Sequence, residues 1–311
     1  MTVKNVFVLI VAIFLSLVIG TMAAAFAIPQ KNASVSVTKP TASVTAGAIE
    51  NVTALDHFFR ELAAGQPVRA MHFGDSHTKA DIFTGELRRN LQRDFGDGTR
   101  YTKATALSVS ERRSPSAGVR YDALGINGAR AKRLRSMVET PAFLQSVALS
   151  KPDLIVLAYG SNEVTDNDWT VESYERMFSQ IIRRLHATAP GVSVLVIAPP
   201  DRTVQTPHGW VAARRMSELA EAQRRAAFNS GAAFWNACDA MGGENSMNLW
   251  VARGLGQPDH VHLTAGGYIK LGRILYGDLI TAYRGRKPAR AELDGLDLRV
   301  MRGVPVAKKS N

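Results

Sequence analysis

The sequence predicts an α/β fold in which helices cover both faces of a parallel sheet. Three observations carry that expectation. Short apolar runs recur along the chain, helical periodicity fills the stretches after them, and the third run, Leu154–Tyr159, is almost wholly apolar, as a strand covered on both faces must be.

Read in order, the first element lies outside that fold. Val6–Ile19 is apolar and uncharged behind Lys4, and small residues at Ala25 and Ala27 supply an Ala-x-Ala pattern, the layout of a secretory signal. Apolar character continues to Ile28, about twenty residues in all, which is enough to cross a bilayer if the segment is retained. Residues 1–28 are therefore expected to be a cleaved signal or a membrane anchor. Either one carries the chain to the periplasm or cell envelope, with inner-membrane anchoring in the second case. Residues 29–48 combine Ser, Thr, Val, Ala and Lys with two prolines and no acid, and read as a flexible tether. The folded domain is expected over 49–284, and a basic tail over 285–311.

Within the domain, Asn51–Ala64 places Leu55, Phe58, Phe59 and Leu62 on one helical stripe, closed by Gly65-Gln66-Pro67. Val68–Phe73 is the first strand. A helix with Ile82, Leu87, Leu91 and Phe95 follows and stops at Gly96-Asp97-Gly98. Val119–Ile126 is the second strand and Leu154–Tyr159 the third. Tyr174, Phe178, Ile181, Ile182 and Leu185 mark the next helix, before a fourth strand at Val192–Ala198 that Pro199-Pro200 closes. Met216–Phe228 is helical, Ala232–Trp235 is the fifth strand, and a last helix opens after Thr264 with Tyr268, Leu271, Leu275 and Leu279 on one face. The shapes of the loops Thr99–Gly118 and Asp201–Arg215 are not legible.

Composition narrows the function classes. Of 311 residues, 46% are hydrophobic and 21% charged, which leaves room for a full core. The single cysteine, Cys238, excludes an intramolecular disulfide and has no zinc-type partner spacing, so it reads as a buried structural residue. The net charge of +11 concentrates after Tyr283 and in Arg130, Lys132, Arg133 and Arg135. In an exported protein such excess draws anionic headgroups or an anionic wall polymer rather than nucleic acid, or simply solvates the surface.

The chemistry-bearing residues fall after strands, where open parallel sheets bind ligands. Ser76 sits in Phe73-Gly74-Asp75-Ser76-His77-Thr78 after the first strand. Gly128 follows the second strand in Gly125-Ile126-Asn127-Gly128, Gly160-Ser161-Asn162 follows the third, and Asp259-His260-Val261-His262 precedes the last helix. A serine hydroxyl needs a neighbouring base to attack a carbonyl, and an imidazole near neutrality with a carboxylate three residues away fits that need. These parts point to acyl transfer.

The four segments resemble the motif blocks of the SGNH, or GDSL-like, hydrolase superfamily over about residues 68–284. The resemblance implies a three-layer, flavodoxin-like fold around a five-stranded parallel sheet, and ester hydrolysis without cofactor or metal. It implies Ser76 as nucleophile, His262 as base and Asp259 as its orienter. The oxyanion donors it implies are the backbone N–H groups of Ser76 and Gly128 and the side-chain amide of Asn162. His77-Thr78, Asn162-Glu163 and Val261-His262-Leu263-Thr264 are similar to bacterial envelope members that act on O-acetylated wall polysaccharide, including peptidoglycan O-acetylesterases. Two positions depart from the common pattern: Glu163 stands where many members carry aspartate, and His77 where they carry leucine. An acetylated polysaccharide is thus the expected substrate of an exported esterase. An O-acyltransferase using the same triad and a catalytically silent glycan-binding scaffold are the alternatives, and the substrate-contacting residues and oligomeric state are unknown.

Other candidates have structural readings. Ser76 also sits where a helix N-cap belongs, and Asp75 is placed to bond loop backbone behind it. His72 reads as a core or supporting group, His77 as a substrate contact or helix-start residue, and His57, His186 and His208 as surface groups. His77, His260 and His262 form an incomplete metal-ligand set. Trp169, Trp210 and Trp250 suit either a sugar cleft or packing.

Overall fold

The computed structural model describes residues 48–99 and 117–286. The export segment, almost all of the tether, most of the Thr99–Gly118 loop and most of the basic tail lie outside the described residues. The domain's sheet comprises β1 (Pro67–Gly74), β2 (Gly118–Gly125), β3 (Leu154–Ala158), β4 (Ser193–Ala198) and β7 (Ala233–Asn236), in the order β2-β1-β3-β4-β7. Every neighbouring pair is parallel. Each strand matches an expected apolar run to within one residue at either end.

The pleat divides the sheet's side chains between two cores. On one face Phe73, Ile155, Leu157, Val194 and Val196 pack with helices α4 (Ala131–Val138), α5 (Pro141–Ser150), α6 (Val171–Thr188) and α7 (Met216–Phe228). On the other, Val68, Ala70, Leu154, Val156 and Leu195 pack with α1 (Asp56–Ala63), α3 (Phe83–Phe95) and α10 (Ala265–Gly285). β3 is apolar throughout because its alternate residues enter both cores. The result is the expected three-layer sandwich.

Several features depart from the expectation. The segment Ala131–Ser150, read only as a basic cluster, forms two helices, and its cations are mostly partnered: Arg130 pairs with Asp166, Lys132 with Asp168 and Arg135 with Glu139. Asp201–Arg215 is not an irregular loop but contains an antiparallel hairpin, β5 (Thr203–Thr206) and β6 (Gly209–Ala212). Two short helices, α8 (Ala237–Met241) and α9 (Ser246–Ala252), were also unexpected. His57, expected as a surface group, is half-buried, with Nε2 3.0 Å from Asp153 Oδ1, and anchors α1 to the chain entering β3.

β1 lies between β2 and β3, so the chain runs to opposite sides of β1 in successive crossovers. That reversal is the topological switch point at which such sheets bind ligands. The short helix α2 (Ser76–Lys79) rises directly from β1 and packs on the end of β2. A Cβ at Gly125 would stand 2.0 Å from the Lys79 backbone nitrogen and 2.5 Å from its Cα. Glycine there is what lets α2 lie so low. We expect Gly125→Ala to force α2 outward at a cost of ~1–3 kcal/mol, lowering the melting temperature by roughly 3–10 °C. A thermal melt unchanged within 1 °C would contradict the close approach.

Candidate functional site

The corner after β1 begins with Asp75, whose backbone leaves the strand and whose carboxylate accepts a hydrogen bond from His77 N–H at 3.0 Å. Asp75, not Ser76, is therefore the N-cap of α2, which releases the Ser76 side chain from capping. Among the described residues the backbone N–H of Ser76 has no hydrogen-bond acceptor. Beneath the corner, His72 Nδ1 lies 2.7 Å from the Tyr121 hydroxyl and Nε2 lies 3.2 Å from Thr78 Oγ1. Burial pushes the His72 imidazole down to about 3, so this chain linking β1, β2 and α2 stays neutral. His72 is a supporting group of the interior.

Asp259 and His262 share one tight loop. Asp259 Oδ1 accepts from the backbone N–H groups of Val261 and His262 at 3.0 and 2.9 Å, and Oδ2 lies 2.7 Å from His262 Nδ1. Burial raises the Asp259 carboxyl, but the imidazole and the two amides outweigh it and hold the group below the usual carboxylate range. An ionised carboxylate only accepts, so Nδ1 carries the proton and Nε2 presents its lone pair. That lone pair faces Ser76 Oγ at 2.9 Å. The structure thus brings all three triad candidates into one hydrogen-bonded line.

The loop is clamped from outside by the hairpin. His260 adopts a left-handed conformation, φ 56°, with its ring stacked on Trp210 at 3.6 Å and an interplanar angle of 2°. Thr203 N–H donates to His260 O at 3.2 Å, and Thr203 Oγ1 lies 2.8 Å from His260 Nδ1. The His260 ring is thus engaged by Trp210 and Thr203, whereas that of His262 is engaged by Asp259 and Ser76. Among the described residues no group of three or more His, Cys, Asp or Glu side chains could hold a metal ion.

Gly128 and Asn162 flank Ser76 from the ends of β2 and β3. Gly128 has φ 68°, a left-handed conformation natural to glycine, and no hydrogen bond engages its N–H among the described residues. The Asn162 amide donates one hydrogen to Ala129 O at 3.0 Å and keeps a second N–H. Ser76, Asn127, Gly128, Asn162 and His262 line one cleft of about 590 Å³, with Lys79, Ile82, Gln257, Leu263 and Tyr268 on its other wall. Donors converging beside a hydroxyl and its base can stabilise a tetrahedral oxyanion.

His77 does not line this cleft. It is buried, with Nδ1 3.0 Å from the Tyr268 hydroxyl and its ring 5.3 Å from that of His262. Burial, partly offset by Asp75, lowers its basicity. Trp250 is buried and donates to Met241 O, a packing role, and Trp169 donates to Glu163 O beneath the Arg215 guanidinium. Cys238 is buried as expected. His186 is half-buried rather than exposed, whereas His208 is exposed. Sequence reasoning missed Tyr268, the hairpin clamp and Glu163. The alternation in Thr203-Val-Gln-Thr-Pro-His-Gly-Trp-Val-Ala212 around a proline-glycine turn was the available signal for the hairpin.

Residues 72–269 match the model of the GDSL-like lipase/acylhydrolase family. No match is found among curated proteins. Among solved structures, the fold is similar to that of a peptidoglycan O-acetylesterase, at 20% identity and TM-score 0.64, over 75% of this chain and 96% of that one. It is also similar to a two-domain esterase active on acetylated mannans, at 14% identity and TM-score 0.53, over 81% of this chain and 60% of that one. At these identities the likeness is one of fold.

The clamp has a measurable consequence. Removing the ring that stacks on His260 frees the loop carrying Asp259 and His262, and displacements near 1 Å cost about a hundredfold in positioned reactions. Trp210→Ala is expected to slow labelling of Ser76 by a fluorophosphonate by about tenfold or more while the domain still melts cooperatively. Labelling at the unaltered rate would show that the loop holds its geometry unaided.

Proposed function

The chain belongs to the GDSL-like lipase/acylhydrolase family, and from that premise we propose that it is an exported serine esterase that removes O-acetyl groups from a cell-envelope or extracellular polysaccharide, with peptidoglycan among the candidates. The observation that carries the reading is the contact between His262 Nε2 and Ser76 Oγ at 2.9 Å, with Nδ1 committed to Asp259. Family membership supplies ester hydrolysis. The acetyl group and the glycan are inferred from the fold's similarity to acetylesterases and from the motif resemblance.

In the reaction, Ser76 Oγ attacks the ester carbonyl carbon as its proton passes to His262 Nε2. Asp259 holds the ring and stabilises its cationic form. The carbonyl oxygen takes up negative charge and is met by the N–H groups of Ser76 and Gly128 and by the remaining Asn162 N–H. Collapse breaks the bond to the sugar oxygen, which receives the proton from His262, and leaves an acetyl group on Ser76. Water then attacks that carbonyl, gives a proton to His262, and acetate departs as Ser76 regains its proton.

The cleft's walls mix apolar side chains such as Ile82 and Leu263 with polar ones, Asn127, Asn162 and Gln257. Among the described residues its walls hold no carboxylate, and Lys79, exposed one turn after Ser76, is the permanently charged residue on them. A glycan bearing anionic groups is the complementary ligand. The signal-like pattern of residues 1–28 supports export to the compartment outside the cytoplasm that holds such polymers.

Purified protein is expected to release acetate from O-acetylated glycan or from nitrophenyl acetate. Ser76→Ala should abolish release, and Asp259→Asn should lower kcat on the order of 10³–10⁴-fold by freeing the wrong imidazole tautomer. Release that persists in Ser76→Ala would refute the mechanism, and acyl transfer to added sugar in preference to water would recast it as a transferase. Residues 1–48 fused to a phosphatase that is active only outside the cytoplasm should give activity; an inactive fusion would remove export from the proposal.

A further inference from the structure

Glu163 is a carboxylate for which the reaction above has no use, and it is 4% exposed. It follows Asn162, and its side chain turns away from the cleft. Oε1 accepts the backbone N–H of Ala131 at 2.6 Å, while Oε2 is buried without a hydrogen-bond partner. Its own backbone is fixed as well, since Glu163 N–H donates to Gly160 O at 3.0 Å and Glu163 O accepts Trp169 Nε1–H at 2.9 Å.

The significance lies in what Ala131 belongs to. The segment that follows Gly128 is tied to the segment that follows β3 at each of its next residues. Asn162 Nδ2 donates to Ala129 O at 3.0 Å, Arg130 reaches the Asp166 carboxylate at 2.6 and 2.9 Å, and Glu163 takes Ala131 N–H. Of these ties the Asn162 bond spends part of a group needed for the oxyanion, and the Arg130–Asp166 pair is partly solvated, with side chains 36% and 20% exposed. Glu163 makes the dry one. Ala131 is also the first residue of α4, whose initial N–H groups have no partner within the helix. The carboxyl therefore fixes where α4 starts and, through the turn closed by Ala129 N–H on Ile126 O at 3.1 Å, the direction of the Gly128 N–H.

Resting on the acyl-transfer reading of the cleft, we propose that Glu163 is a positioning residue that locks the Gly128 and Asn162 halves of the oxyanion hole in register. It does so as a hydrogen-bond acceptor rather than as a charge. Desolvation pushes its carboxyl up to about 7, Asp75 adds to the rise, and the amide of Ala131 and the Arg130 guanidinium oppose it. Asp75, Arg130 and the Tyr174 hydroxyl are the groups facing it from the neighbouring elements. Ionised or protonated, the carboxyl offers a lone pair to Ala131. A glutamine would do the same, with its amide directed toward the Tyr174 oxygen.

The test compares Glu163→Gln with Glu163→Met, which has similar length and no strong acceptor. Hydrolysis of nitrophenyl acetate is followed on variants that melt cooperatively. Glu163→Gln is expected to keep kcat within about threefold, whereas Glu163→Met loses kcat by about tenfold to a hundredfold with KM within about twofold, short of the loss expected from deleting a donor outright. Amide exchange at Ala131 should accelerate in the methionine variant and not in the glutamine one. If methionine prevents folding, Glu163→Ala replaces it with the same expectation. A kcat retained in Glu163→Met or Glu163→Ala, or a glutamine variant as impaired as methionine, would overturn the positioning role. An inactive wild-type enzyme would overturn the reading of the cleft itself.

Discussion

Parallel pairing of β1 with β2 on one side and β3 on the other is the constraint from which the site follows. Three strands that run in one direction must release their chains at one edge. The residues after them, Ser76, Gly128 and Asn162, are then neighbours in space although up to 86 positions separate them in sequence. The fourth contribution, the loop of Asp259 and His262, arrives from the chain leading into α10. Nothing about the chemistry requires this sheet; the sheet supplies a fixed edge against which short, strained turns can be held.

Holding those turns falls to a few polar contacts and one aromatic stack. His72, Tyr121 and Thr78 tie the base of α2 to β1 and β2, and Thr203 and Trp210 seize His260. The hydrogen bonds among these contacts satisfy polar atoms that burial would otherwise leave costly, and the Trp210 ring adds a stacked face. The Asp259 loop works by the same logic at smaller scale: a single carboxylate collects two amides and an imidazole, and thereby selects the tautomer that leaves Nε2 open.

The strands and the principal helices were legible because burial on both faces imposes an unbroken apolar run, and burial on one face imposes a helical stripe. Ser76, Asp259 and His262 were legible as candidates because the proposed nucleophile, base and orienter require particular residue types. α5 was not legible because its apolar residues do not segregate; Leu149 is 55% exposed while Val147 is fully buried. Glu163 was passed over as a minor departure from aspartate because whether a carboxylate is solvated or buried depends on the α4 start, which lies more than thirty residues upstream. Ser76 was given a possible capping role that the fold assigns to Asp75, since adjacent Asp and Ser are equally good caps and only the backbone angles separate them.

The two hydrogen bonds that align Ser76, His262 and Asp259 differ greatly in span. Asp259 and His262 are three residues apart, whereas Ser76 and His262 are separated by 186. The carboxylate–imidazole pair is therefore a low-contact-order feature, available to any chain whose 259–262 turn has formed. The serine contact closes a loop that contains most of the domain. A chain emerging N-terminus first holds Ser76 long before it holds His262, so the hydroxyl meets that imidazole only as the C-terminal part of the domain docks. Completion of the fold and alignment of Ser76 with His262 are the same event.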